Sequence, residues 1–185
     1  RVDFMISGYD DKDLPKVVVI ELKQWQKVEK IDQSSLVRTY TGGANRDVVH
    51  PSYQAWSYAQ LITDYNTAVQ KKEIGLKPCA YLHNYVRGDN DPIDDKQYSG
   101  IIKEAPVFTK GQVRDLRGFI KSFIKIGDNK EILYEVDHGK IKPSKSLQNA
   151  IASMIKGNKE FVMIDEQRVA YDTILNLSEK CQKDK

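Results

Sequence analysis

Residues 17–20 read Val-Val-Val-Ile, and residues 21–23 read Glu-Leu-Lys with no turn between. Four β-branched apolar residues in a row suit the middle of a sheet buried on both faces. Such a strand limits the chain to folds that cover it on both sides, so helices are expected against a central sheet. Alternate residues of a strand share a side, so Glu21 and Lys23 lie together with Leu22 opposite. Charged side chains are rarely buried unless paired. The strand is therefore expected to leave the core at Glu21 and open into a cleft.

The rest of the chain suits that frame. Residues 2–7 read as a strand, 8–15 as a Gly-, Asp- and Pro-containing turn, and 16–25 as its antiparallel partner. LVRTYT, GGAN and RDVV over 36–49 predict a second, exposed hairpin. Ser52 is the expected N-cap of a helix beginning near Tyr53, whose apolar residues recur at helical spacing through Tyr65 toward Lys72. A strand is expected over 79–85 and an amphipathic helix over 111–127. A hairpin is expected over 132–144, a helix over 146–157 and a last helix over 161–182. The fold class expected is α/β: a mixed central sheet flanked by helices over 1–100, and a mainly helical extension over 101–185.

Composition narrows the function classes. The 185 residues are 40% hydrophobic and 30% charged, with a net charge of +3. That balance permits a polyanionic partner without requiring one. No apolar run approaches the ~20 residues of a membrane span, and no signal-peptide pattern is present, so a cytoplasmic protein with no membrane partner is expected. Cys79 and Cys181 lie far apart with no CxxC or Cys/His cluster, which argues for two separate thiols and against zinc. The chain opens at Arg1 inside a strand, and the natural protein is expected to begin earlier.

Chemistry concentrates around the first hairpin. If its strands pair, Asp3 comes alongside Glu21. Two adjacent carboxylates repel, and one takes up a proton unless a cation intervenes. Mg²⁺ or Mn²⁺ resolves the conflict by binding carboxylate and carbonyl oxygens together with waters. Asp3, Glu21 and the Leu22 carbonyl are the expected ligands, with Lys23 beside a water. Gln54 and Tyr58, four apart on a helix, share one face. Arg38 and Arg46 flank the second hairpin's turn and could track a phosphate backbone, as could Arg1. His50 is a candidate for supporting the site, with a structural role as the alternative. His83 and His138 read as strand or turn residues, Trp25 and Trp56 as core, and Gly42-Gly43 as a turn.

Asp3, 17 intervening residues, then Glu21-Leu-Lys23 resembles the PD-(D/E)XK nuclease superfamily. Gln54-Ala-Trp-Ser-Tyr58 is similar to the QxxxY motif of its RecB-like branch. That resemblance implies a restriction-endonuclease-like core whose first helix and strand precede RVDF. It also implies Asp3, Glu21, Lys23, Gln54 and Tyr58 as catalytic residues, and hydrolysis of DNA phosphodiester bonds. The segments RVDF, IELKQW, HPSYQAWSYAQLI, CAYLHNY and FVMIDEQRVAYDTIL further resemble the front part of bacterial proteins in which a nuclease-like segment precedes a P-loop helicase-type ATPase. The sequence has no GxxxxGK[ST], so an ATPase partner domain on the same natural chain is expected beyond Lys185, with Gln167 resembling an adenine-reading glutamine. The competing expectation is a catalytically inactive nucleic-acid-binding or regulatory module of such an ATPase. A protein-docking domain without DNA affinity is a third.

Overall fold

The apolar run forms the centre of strand β2 (Pro15–Lys23). In the computed structural model, which describes residues 2–32, 35–141 and 165–183, its side chains divide between two cores. Val17 and Val19 join one apolar cluster, and Val18 and Ile20 join another. This is the alternation a strand imposes, with apolar residues on both sides because both sides are covered.

β1 (Phe4–Tyr9) runs antiparallel to β2, with Phe4 opposite Ile20 and Tyr9 opposite Pro15. On the other side β6 (Gly75–Leu82) runs parallel to β2. β7 (Val107–Thr109) extends the parallel side and β8 (Ile126–Gly127) the antiparallel side, giving a mixed sheet in the order β7-β6-β2-β1-β8. Both edge strands come from beyond residue 100, so the sheet spans the boundary expected there.

Helices cover the two faces. On one face lie α1 (Pro51–Tyr65), α2 (Thr67–Lys72) and α5 (Glu131–His138), which contribute Ala59, Val69, Ile132 and Val136 around Val17 and Val19. On the other, α4 (Val113–Phe123) packs Leu116, Phe119 and Phe123 around Val18 and Ile20. A short α3 (Ser99–Glu104) precedes β7. Beyond the carboxyl end of β2 stands a three-stranded antiparallel arm of β3 (Glu29–Lys30), β4 (Leu36–Thr41) and β5 (Ala44–Val49). Its tip turns at Gly42 and Gly43, with φ of 57° and 82°, a left-handed pair that glycine adopts without strain. The C-terminal helix α6 (Asp165–Lys183) lies against β5. None of the described helices is long and apolar enough to cross a membrane. The chain is therefore α/β, with a mixed central sheet flanked by helices.

Three local expectations are corrected. Residues 131–138 form α5 and not a hairpin strand, because Ile132 and Val136, four apart, both enter the core and Asp128 Oδ2 accepts the Ile132 N–H at the helix start. The β-branched residues there follow helical spacing, and packing overrides their strand preference. The long helix after His50 breaks at Asn66. Its side-chain oxygen accepts the N–H groups of Ala68 and Val69 and starts α2 afresh. The cap of α1 is His50, not Ser52: Nδ1 accepts the Ser52 N–H at 3.2 Å, and Pro51 occupies the first turn. The helix expected over 146–157 lies outside the described residues.

His50 is wholly buried, and its ring stacks on Tyr98 with centroids 4.5 Å apart. Since Nδ1 accepts, the proton resides on Nε2, which donates to the Ile93 carbonyl at 3.0 Å. Burial holds its pKa down at about 4. His50→Ala is expected to remove the cap and leave the Ile93 carbonyl without its donor. The loss should be about 3 kcal/mol of stability by urea unfolding, and an unchanged midpoint would contradict this account of the cap.

Gly8 is a second position with no tolerance. A Cβ there would lie 2.3 Å from the Ile126 carbonyl oxygen and 2.5 Å from Ile124 Cγ2. Gly8→Ala is expected to push β8 off the sheet edge at a cost of about 2 kcal/mol. Faster amide exchange at Lys125, whose N–H donates to the Tyr9 carbonyl, is the readout, and retained protection there would refute it.

Candidate active site

The register of β1 on β2, continued by one residue, sets Asp3 opposite Glu21. Asp3 stays at the surface, and its Oδ2 accepts the Leu22 N–H at 3.0 Å. Glu21 is 2% exposed. Lys23 Nζ donates to Glu21 Oε1 at 2.7 Å and stands 5.5 Å from the ring of Trp25, two residues further along the chain. Glu21 Oε2 is buried without a hydrogen-bond partner among the described residues.

The electrostatics of Glu21 follow from this geometry. Burial pushes its carboxyl up to about 7, against the pull of the Lys23 ammonium and with a further push from the Asp3 carboxylate. With the Lys23 ammonium on Oε1, the buried Oε2 is left without a donor of its own, beside a second carboxylate. The oxygens at this end of β2 are Glu21 Oε2, the Asp3 carboxylate, whose Oδ2 also accepts the Leu22 N–H, and the Leu22 carbonyl. That is a hard donor set, fit for a divalent cation that keeps several waters. Among the described residues no three His, Cys, Asp or Glu side chains gather as a metal-holding group, so waters and the backbone would have to complete its shell.

The helix α1 carries the second group. Gln54 Nε2 donates to the Tyr58 hydroxyl at 3.3 Å, and the hydroxyl donates to Asp165 Oδ2 at 3.1 Å. Burial pushes the Tyr58 hydroxyl up to about 12. Asp165 is raised by burial and drawn back down by its bond from Tyr58 and by the Lys23 charge. Its Oδ1 is buried without a hydrogen-bond partner among the described residues.

A cleft of about 570 Å³ is lined by Lys23, Gln54 and Asp165 from these groups, while Asp3, Glu21 and Tyr58 stand behind its lining. Lys23 and Trp25 come from the end of β2. Thr41, Arg46, Asp47, Val48 and Val49 come from the arm, Gln54 from α1, and Asp165, Glu166, Val169 and Ala170 from α6. α6 is held in place by Asp172, which is 4% exposed. Its Oδ2 accepts the Ser35 N–H and Oγ–H at 3.1 and 2.7 Å and lies 3.3 Å from Arg168 Nε. The Arg168 guanidinium also stands over the rings of Tyr53 and Tyr171.

The structure thus brings together Asp3, Glu21 and Lys23 around one end of β2, and sets Gln54 and Tyr58 on the adjoining face of α1. Of the substrate-binding candidates, Arg46 lines the cleft. Arg38 is bound by both guanidinium arms to Asp47, at 2.6 and 2.9 Å. Because Arg38 opposes Asp47 while Thr39 opposes Arg46, the two arginines fall on opposite faces of the hairpin and make no single basic track. His50 uses both ring nitrogens internally and presents no edge to a ligand. Gln167 is exposed on α6, and Arg1 lies outside the described residues. The site residue that sequence reasoning missed is Asp165, which reaches Tyr58 across 107 positions. An acidic pair opening a helix, Asp165-Glu166, was its only local sign.

Comparison with family models, with curated proteins and with solved structures finds no match to this chain.

Proposed function

We propose that this protein hydrolyses DNA phosphodiester bonds with the aid of Mg²⁺ or Mn²⁺, as the nuclease part of a larger DNA-processing protein that includes a P-loop ATPase domain. The observation that carries the reading is Glu21, whose buried Oε2 has no hydrogen-bond partner among the described residues and whose Oε1 takes the Lys23 ammonium, with Asp3 across the strand pair. This is the constellation by which the sequence resembles the PD-(D/E)XK superfamily.

In this reading Asp3, Glu21 and the Leu22 carbonyl would hold the cation. When bound, it neutralises charge on the scissile phosphate and acidifies a water. Lys23 sets its ammonium against the oxygens on which charge develops. It acts from a pre-formed position, fixed by Glu21 and Trp25, so little reorganisation accompanies the reaction. Gln54 lines the same cleft and positions the attacking water through its amide. Arg46, on the arm, contacts the phosphate backbone.

The test uses the full 185-residue chain with end-labelled single- and double-stranded DNA. Cleavage is expected with Mn²⁺ or Mg²⁺ and none with a chelator, and Asp3→Ala should weaken divalent binding by calorimetry. Salt-dependent DNA binding with neither cleavage nor divalent uptake would replace this reading with that of a non-enzymatic nucleic-acid-binding module.

A further inference from the structure

We propose that Asp165 is a positioning residue of this site, and that it fixes which end of the Gln54 amide is offered to the cleft. The kinetic consequence rests on the nuclease reading, whereas the hydrogen-bond argument stands apart from it.

An ionised carboxylate can only accept hydrogen bonds. The Tyr58 hydroxyl has one proton, and Asp165 Oδ2 takes it at 3.1 Å. The Tyr58 oxygen is then left to accept, so its 3.3 Å contact with Gln54 is a donation from Nε2. Holding the NH₂ group at Tyr58 by one of its two N–H donors turns the amide oxygen away from Tyr58, and we assign that oxygen to the cleft Gln54 lines beside Lys23. An acceptor there takes a proton of the attacking water and leaves the water's lone pair for phosphorus. An NH₂ group in its place would bind that lone pair and blunt the nucleophile.

Asp165 suits this task in two ways. Its second oxygen, Oδ1, is buried with no hydrogen-bond partner among the described residues, so no second donor there draws the carboxylate away from Tyr58. It also sits on α6, which the Ser35–Asp172–Arg168 contacts hold against the site. The orientation of an α1 side chain is thus set from a helix more than a hundred residues away.

Asp165→Asn tests the polarity directly. An asparagine NH₂ can donate to the Tyr58 oxygen, whose proton then turns to Gln54 and reverses the chain. Turnover of DNA with Mn²⁺ is expected to fall about a hundredfold with KM within about threefold, since the loss lies in orienting the nucleophile. Tyr58→Phe should show the same split, and the Asp165→Asn, Tyr58→Phe double variant should be no slower than Tyr58→Phe alone. Multiplying losses in the double variant would overturn the proposal.

A second readout needs no activity. The Gln54 side-chain amide peaks in a ¹⁵N–¹H spectrum of the full chain, assigned by their loss in Gln54→Ala, should shift in both single variants. Tyr58→Phe carries this arm if Asp165→Asn does not fold. Peaks unmoved in a folded variant would refute the proposal. If the parent protein cuts no DNA, the nuclease reading fails while the amide spectrum still decides the role of Asp165.

Discussion

Lys23→Ala and Glu21→Ala are each expected to lower Mn²⁺-dependent DNA cleavage about a thousandfold, for different reasons that DNA binding and metal binding separate. The ammonium of Lys23 stands 2.7 Å from Glu21 Oε1 and over Trp25, so its charge is held in place before substrate arrives. Removing one such pre-positioned charge or donor typically costs a factor of about 10²–10³ in turnover. Lys23→Ala should leave divalent binding intact or tighter, because the cation's competitor for the Glu21 carboxylate is gone. Glu21→Ala removes a ligand itself, so calorimetry should record weaker divalent uptake as well as lost cleavage. DNA affinity at fixed salt should change little in either variant. Cleavage that survives both substitutions would come from something other than this site and would dispose of the assignment.

Glu21 should also set the pH dependence of the protein's stability without any added metal. Its folded carboxyl titrates at about 7, against an ordinary value of 4.5. Between those values the folded protein keeps a proton that the unfolded chain has released, so stability falls as pH rises through the window. The full effect is about 3 kcal/mol. His50 acts in the opposite sense. With a folded value of about 4 against 6.5, its contribution is present above 6.5 and is lost as pH falls toward 4. The two therefore partly cancel between about 4.5 and 6.5, and the pairwise difference between variants isolates each. In chelator, Glu21→Gln should gain stability on the wild type as pH rises from 5 to 8, reaching about 3 kcal/mol by urea unfolding. Parallel pH curves for the two proteins would show that Glu21 is not held in the folded state as described.

That buried charge was legible in part from the sequence alone. A run of four β-branched residues ending in Glu-Leu-Lys located the central strand and the face that Glu21 and Lys23 share, but not that Glu21 stays in the core, 2% exposed. The antiparallel partner and Asp3 opposite Glu21 followed from one short turn, and Gln54 with Tyr58 from helical spacing. What escaped depended on side chains answering distant or unexpected partners. Asn66 broke a helix by bonding to the backbone ahead of it, where apolar periodicity continued unbroken. Ile132, Leu133 and Val136 carried strand-forming composition into a helix because the sheet face needed covering. His50 displaced Ser52 as a cap because Pro51 already occupied the first turn. Asp165 had no local signature, since its meaning comes from Tyr58 on another helix.

The docking of α6 has a mechanical implication. Two of the cleft's walls, the β4–β5 arm and α6, lie against each other along β5 and are tied at the base of the arm, where Ser35 meets Asp172. They resemble the jaws of a clamp with its pin at the base. Loosening that pin would widen the opening and withdraw Asp165 from Tyr58 in the same movement. The thickness of strand admitted and the aim of the Gln54 amide would then change together, so access and alignment are one setting of the molecule.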